Sequence, residues 1–170
     1  MAATRQDLFA RLAALGIPTR TVEHEAVFTV AESSEIERRI PGAHTKNLFL
    51  KDDSGALFLV VAMAATRVDL KGLSRTLGAR RFSFGKPDLL LEALGVAPGS
   101  VTAFAVLNDT ARRVGVVIDA ALMEHATVNC HPLENTATTN IARDDLLRFI
   151  RACGHEPRIV RLDAAKAAEG

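Results

Sequence analysis

Lys46 and Asn47 open the run Lys46-Asn47-Leu48-Phe49-Leu50-Lys51. A lysine offers a compact positive charge and three donors, which suits a phosphate or a carbonyl oxygen that gains negative charge. The preceding Pro41-Gly42-Ala43-His44-Thr45 reads as an irregular lead-in, so Lys46 is expected at a loop–strand junction, held yet reachable. By residue type alone, the plainer reading is the stronger: a surface lysine whose stem covers apolar ground.

A second candidate is Thr127-Val128-Asn129-Cys130-His131-Pro132. Strand alternation puts Thr127, Asn129 and His131 on one face and turns Val128 and Cys130 into the core. His131 can orient a substrate group or carry a proton. It can equally be a histidine satisfied by a nearby backbone group. Cys130 and His131 diverge as strand neighbours, so they form no thiol–imidazole dyad, and Cys130 is expected to act as a small buried hydrophobe.

Val96-Ala97-Pro98-Gly99-Ser100-Val101-Thr102-Ala103 links a helix to a strand, and its backbone N–H groups suit an anion or a developing oxyanion. Gly and Pro mark ordinary turns just as well. Lys51, Lys71, Arg75, Arg80 and Arg81, with Arg112-Arg113, supply cations for RNA phosphates or simply a solvated surface. No aromatic interleaving suggests stacked single-stranded bases. The five histidines are too widely spaced for a metal motif, and neither a P-loop nor G-x-S-x-G is present.

The 170 residues suit one domain, taken as 1–170, with one sizeable core. A net charge of +1 excludes a broadly basic nucleic-acid footprint, so any RNA contact must come from a local patch. With no Trp or Tyr, the core must be built from Phe, Leu, Val and Ala. Two cysteines are too few for a disulfide scaffold, and no apolar run is long enough to span a bilayer. With no signal-peptide pattern, the expected location is the cytoplasm.

These groups need elements to hold them. Thr4 and Asp7 resemble a capping box for a first helix bearing Leu8, Leu12 and Leu15, stopped at Gly16-Ile17-Pro18. A strand is expected over Arg20–His24. Thr29 and Glu32 form a second capping box for a helix running to Arg39. Lys46–Lys51 and Ala56–Met63 read as a hairpin around Asp52-Asp53-Ser54-Gly55. Short helices follow, one from Asp69 to Gly78 and one from Pro87 to Gly95, the latter with Lys86 as a poor cap. Strands are expected at Val101–Leu107, Arg113–Asp119, Thr127–His131 and Ala137–Ile141. A helix from Arg143 to Gly154 has acids first and bases last, matching the helix dipole. Arg158–Leu162 suits an edge strand, and the tail from Ala164 looks frayed. The pattern implies an α/β fold with a mixed, largely antiparallel sheet and surrounding helices.

Several segments occur in a familiar combination. They are Val27-Phe28-Thr29-Val30-Ala31-Glu32, Gly42-Ala43-His44-Thr45-Lys46-Asn47-Leu48-Phe49-Leu50-Lys51-Asp52, and Val68-Asp69-Leu70-Lys71-Gly72-Leu73-Ser74. Leu107-Asn108-Asp109 and His131-Pro132-Leu133-Glu134-Asn135-Thr136-Ala137 complete the set. From about Leu8 to Leu162 the chain resembles the prolyl-tRNA synthetase insertion-domain family of editing deacylases, which includes the YbaK-like proteins. Within that family it looks most like the free-standing subgroup that clears alanine from tRNA for proline. The resemblance implies the editing-domain version of the α/β fold, with no metal and no nucleotide cofactor. The family's essential lysine maps onto Lys46, followed by Asn47, and its pocket histidine onto His131. Its Gly-x-x-x-Pro loop maps onto Gly99 to Ala103, where Ala103 replaces the usual Pro.

The function implied is trans-editing hydrolysis of alanyl-tRNA for proline. The alternatives are a cysteinyl or seryl ester, or a non-catalytic tRNA-binding or synthetase-associated module. Lys46 would hold the terminal phosphate or ribose region or steady the opening ester, with Gly99, Ser100, Val101 and Thr102 supplying backbone donors. Asn47 and His131 would orient the amino acid or terminal adenosine. Lys51, Arg80 and Arg81 would meet the acceptor stem. Water would attack, with the neighbouring ribose hydroxyl as a candidate assistant. The partners implied are the acceptor stem of tRNA for proline and, transiently, prolyl-tRNA synthetase or an elongation factor. Neither membrane nor DNA is implied.

Overall fold

The computed structural model describes residues 2–26 and 30–162. Helix α1 (Arg5–Ala14) opens on the expected box. The Asp7 N–H donates to the Thr4 hydroxyl at 3.2 Å, and the Thr4 N–H donates to the Asp7 carboxylate at 2.8 Å. Leu8 and Leu12 are buried, and Gly16 ends the helix with φ of +69°. Strand β1 (Thr19–Glu23) and helix α2 (Val30–Arg39) follow. The second capping box lies partly outside the described residues, because Thr29 is not among them.

The remaining elements are β2 (Ala43–Asp52), β3 (Leu57–Met63), α3 (Leu70–Leu77), β4 (Phe82–Phe84) and α4 (Pro87–Leu94), then β5 (Val114–Asp119), β6 (Thr127–Cys130), β7 (Ala137–Ala142), α5 (Arg143–Ala152) and β8 (Arg158–Val160). Two 3-10 helices, Ala103–Asn108 and Ala120–Glu124, flank β5. The eight strands form one sheet in the order β1-β7-β6-β2-β3-β5-β8, with β4 added to β2. Pairings β1–β7, β6–β7, β2–β3 and β2–β4 are antiparallel, while β2–β6, β3–β5 and β5–β8 are parallel. The mixed α/β sheet expected from the sequence is the sheet observed.

One sheet face carries the larger core, where α1, α4, α5 and the first 3-10 helix bury Leu8, Leu94, Phe104 and Phe149 against Phe49, Leu59, Val61 and Val128. The other face carries a smaller cluster in which Leu73 of α3 meets Leu50, Val60, Ala62, Val117 and Leu162. The Asn108 carboxamide ties the first core together by accepting from the Ala3 N–H at 2.7 Å and donating to the Leu94 carbonyl at 2.9 Å. No helix among the described residues is long and apolar enough to cross a membrane.

Three expectations are corrected. Val101–Leu107 is no strand, because Ala103–Asn108 coils into a 3-10 helix capped by Thr102, whose hydroxyl accepts the Phe104 N–H. Ala103, Phe104, Ala105 and Val106 are buried on every side, so an unbroken apolar run carries no period to separate strand from helix. Strand β2 begins at Ala43, not Lys46, because Ala43 and His44 pair with Val128 and Asn129 of β6. The irregular lead-in is therefore only Pro41-Gly42, and Lys46 lies within the strand. Strand β4 was not expected. It is three residues long and exists through its pairing with Leu50–Asp52.

Two residues fix the ends of β2. Gly42 has φ of +104°, and a Cβ there would lie 2.6 Å from Thr127 Oγ1 and 2.9 Å from Asn140 Nδ2. At the far end, Asp52 Oδ1 accepts the Ser54 hydroxyl at 2.6 Å and the Ser54 and Ala56 N–H groups at 2.9 Å each. Its Oδ2 accepts the Arg80 N–H at 3.0 Å. These donors, the Ser54 hydroxyl first, lower the Asp52 carboxyl to about 2. Gly42→Ala is expected to cost about 1–3 kcal/mol through forbidden backbone and steric clash, measured as a lower denaturation midpoint. In the unfolded chain Asp52 takes up its proton near 3.8, before the folded chain does. Stability should therefore fall as pH drops from about 4 to about 2, and Asp52→Asn should remove that part of an acid-denaturation curve.

Candidate active site

Strand β2 changes partners along its length. Antiparallel β3 covers one edge from Thr45 to Lys51. On the other edge β6 pairs only with Ala43 and His44, and β4 only with Leu50 to Asp52. Gly85 adds one bond, its N–H donating to the Phe49 carbonyl at 2.9 Å. Phe49 therefore points its backbone groups to this edge, and strand alternation makes Asn47 do the same. A notch is left between His44 and Phe49, with the Asn47 backbone on its floor.

Lys46 and Asn47 leave this stretch in opposite directions. Lys46 pairs with Ala62 of the smaller cluster, and Asn47 with Val61 of the larger core. Lys46 is half-buried and forms no ion pair among the described residues. It lines an open groove of about 570 Å³ with Glu37, Gly42, Ala43, Met63, Ala64 and Ala65, among others. The Asn47 Oδ1 is buried and has no hydrogen-bond partner among the described residues. Such an acceptor costs free energy unless a ligand or water supplies a donor.

His131 follows the last residue of β6 on the Lys46 face, since His44 and Asn129 are register partners there. Its Nδ1 lies 2.9 Å from the Ala137 carbonyl. A carbonyl only accepts, so Nδ1 carries the hydrogen and the neutral ring presents a lone pair at Nε2. Burial pushes the imidazole below its ordinary value, outweighing the Ala137 bond, so the neutral form is favoured near pH 7. His131 lines a cavity of about 70 Å³ with His24, Ile36, Glu37, Asn129 and Thr138. His24 stands beside it, ring centroids 6.3 Å apart, with Nε2 2.8 Å from the Thr138 hydroxyl. This cavity and the Lys46 groove share Glu37, His44 and Thr45, so they are two ends of one depression under α2.

The floor between them is a closed polar network. The Asn129 amide donates to the Pro41 carbonyl at 3.0 Å, and the Asn140 amide donates to Asn129 Oδ1 at 2.9 Å. His44 Nε2 lies 2.8 Å from the Ile40 carbonyl. The Thr45 hydroxyl donates to the Asn129 carbonyl at 2.7 Å. Asn129 is thus a structural pin for the Pro41-Gly42 turn. Cys130 points into the core, where burial pushes its thiol up to about 12, and it supplies no nucleophile.

The Gly99 loop packs on the opposite, larger-core side, where Val96 and Ala103 are buried. Gly99 has φ of +90°, and a Cβ there would lie 3.7 Å from the Asn135 amide. The loop therefore meets the turn that follows His131, not the Lys46 groove. Of its N–H groups, that of Ser100 already donates to the Ala97 carbonyl at 3.0 Å. Lys51, Arg80 and Arg81 are exposed at the far end of β2, Arg81 within 3.9 Å of Asp53. Five residues of strand, about 17 Å, separate Lys51 from Lys46. The structure thus brings Lys46 and His131 to one face, puts Asn47 and the Gly99 loop on the other, and keeps the exposed cations apart.

Sequence reading missed His24, Glu37, Thr138 and the Met63–Ala65 corner as lining residues. His24 carried one usable signal, since it follows a strand end. The others meet through pairing distant in sequence. Among the described residues, no group of three His, Cys, Asp or Glu side chains is placed to hold a metal.

The aminoacyl-tRNA editing domain model matches residues 24–149. Prolyl-tRNA synthetase associated domain-containing protein 1 of Danio rerio is 41% identical over 161 residues, covering 94% of this chain and 88% of the relative. Prolyl-tRNA editing protein ProX of Acetoanaerobium sticklandii is 35% identical over 159 residues, covering 93% of this chain and 97% of the relative. A solved structure described as a putative trans-editing enzyme for prolyl tRNA synthetase shares the fold, with a TM-score of 0.72 and 18% identity over 97% of this chain and 99% of that one. On that match, most of its length and all of the depression under α2, the chain belongs to the aminoacyl-tRNA editing domain family.

Proposed function

We propose that the protein is a trans-acting deacylase that hydrolyses the alanyl ester of tRNA for proline, releasing free alanine and tRNA. The observation that carries this reading is a lysine without an ion pair among the described residues and a histidine biased towards its neutral form on one sheet face, along a depression edged by small residues. An ester is already activated, so water can attack without a protein nucleophile. The water oxygen bonds to the ester carbon, the terminal ribose oxygen leaves with a proton, and the neighbouring ribose hydroxyl assists that transfer.

Lys46 Nζ donates to the oxygen that gains charge as the ester opens, in a half-buried place where a preorganised donor is worth most. His131 Nε2 accepts a hydrogen bond from the ammonium group of the amino acid. Asn47 Oδ1, buried without a partner, takes a donor from the terminal adenosine across the notch. Gly99, Val101 and Thr102 steady the turn carrying His131 from behind. Lys51, Arg80 and Arg81 contact the acceptor stem about 17 Å away. Prolyl-tRNA synthetase is the partner whose error supplies the substrate.

The need is physical. A pocket shaped for proline rejects the smaller alanine by only about 1–3 kcal/mol. A second site can reverse the test, and the 70 Å³ cavity with Gly42, Ala43, Ala64 and Ala65 nearby suits a methyl side chain.

Purified protein is expected to deacylate alanyl-tRNA for proline faster than cysteinyl or seryl esters. Lys46→Ala should lower kcat/KM by about 10²–10³-fold, the usual loss for one oxyanion donor. Equal rates for wild type and variant would overturn the assignment. Acceptor-stem binding with no hydrolysis of any of the three esters would make the protein a binding module instead. Because burial lowers the His131 imidazole, activity should hold as pH falls through 6.5 and drop only at lower pH, where the ring protonates. His131→Gln should abolish that acidic limb in a kcat/KM profile, and an unchanged limb would assign it to another group.

A further inference from the structure

Phe84 is 64% exposed, an unusual state for a phenylalanine on a strand. It ends β4, a three-residue edge strand whose recorded pairing is to β2. Its register partner is Leu50 of the smaller cluster, so Phe84 emerges on the same sheet face as Lys46. Four residues of β2 separate Leu50 from Lys46, about 13 Å along the strand. Phe84 therefore stands at the lower lip of the notch whose floor is the Asn47 backbone.

Its surroundings are cationic, which corrects the expectation that no aromatic interleaves with the basic residues, since Phe84 stands among Arg80, Arg81 and Lys86. Arg80, Arg81 and Lys86 flank it in sequence, Lys51 pairs with neighbouring Ser83, and all four are exposed. Nearby acids offset part of this charge, and Asp88 stands exposed two residues beyond Lys86. Asp52 is buried with both oxygens engaged, and Asp53 lies beside Arg81. Over residues 67–86 the sequence holds six cations (Arg67, Lys71, Arg75, Arg80, Arg81 and Lys86) against one acid, Asp69. In a chain of net charge +1, that is where a polyanion would be drawn.

An exposed aromatic ring on an edge strand, with cations standing on both sides of that edge, is an arrangement that binds single-stranded nucleic acid, with a base on the ring and phosphates on the cations as the strand wraps the edge. We infer that Phe84 is a stacking platform for an unpaired base of the RNA 3′ strand, upstream of the nucleotide carrying the ester. This rests on the deacylase reading for the placement of the terminal nucleotide at Lys46. The 13 Å offset exceeds the roughly 3.4 Å rise of one stacked nucleotide, so the base on Phe84 is not the terminal one. The strand then descends from Lys46 past Phe84 to Lys51, Arg80 and Arg81, joining two groups of residues that otherwise stand apart.

The test uses a set of uncharged acceptor-stem minihelices with a single-stranded 3′ end, each carrying 2-aminopurine at a different unpaired position upstream of the terminal nucleotide. Wild type should quench the fluorophore by stacking. Phe84→Ala and Phe84→Leu should both lose the quench and raise Kd about tenfold. Phe84→Trp should retain both, because the aromatic face, not apolar bulk, is what acts. On an aminoacyl ester of adenosine alone, Phe84→Ala should hydrolyse at the wild-type rate. Unchanged Kd and quench in Phe84→Ala would overturn the inference, as would a Phe84→Leu variant that behaves like wild type. Hydrolysis by the wild type, measured separately, decides the deacylase reading on its own.

Discussion

A ten-residue strand paired along both edges offers no backbone to a ligand, and β2 escapes that fate by exchanging one neighbour for another. The parallel partner β6 leaves after His44, and the antiparallel partner β4 arrives only at Leu50. Direction matters here. β6 enters from the half of the sheet that includes β1 and β7, while β4 belongs with the half that includes β3, β5 and β8. The gap is the seam between the two halves. The other site features stand around it: a lysine and an asparagine that alternation sends to opposite faces, a histidine one step beyond the departing strand, and an aromatic ring on the arriving one.

A seam is a weak place in a sheet unless its borders are held. Above it, the Asn129 and Asn140 amides both donate to the Pro41 carbonyl and are joined to each other, and Gly42 brings the chain close enough for those bonds. Below it, Gly85 packs against Phe49, where a Cβ would come within 2.2 Å of the ring. Behind the His131 turn, Arg5 of α1 reaches Glu23 at 2.6 Å and Glu134 at 2.8 Å, linking three segments by charge. Rigid borders around an open edge give the fixed geometry that a preorganised site needs.

Elements with local signals were legible in the sequence. The Thr4 box, the Asp52 turn, and the helix ends at Gly78 and Gly95 depend on neighbours a few residues away, and each was readable. Cys130 was read correctly from alternation alone. Features set by distant pairing were not readable. The start of β2 at Ala43 depends on Val128 and Asn129, and β4 depends on the far end of the same strand. Ala103–Asn108 lost its strand assignment because burial from all sides erases periodicity. For the site, residue type left Lys46 and His131 open and the family resemblance raised them, but only the register puts them on one face with Asn47 on the other. No pattern in the sequence shows that Phe84 is bare.

The state of Cys130 bears on the durability of the molecule. The thiolate, not the thiol, reacts with oxidants and electrophiles, and a sulfhydryl held near 12 is almost never in that form. Cys153 is pushed in the same direction by burial. Cys130 is therefore no easy entry point for peroxide or alkylating agents, although it sits one residue from the imidazole in the depression. A buried thiol held in that state gives the depression no thiolate to lose, so its chemistry does not turn on the redox state of that sulfur.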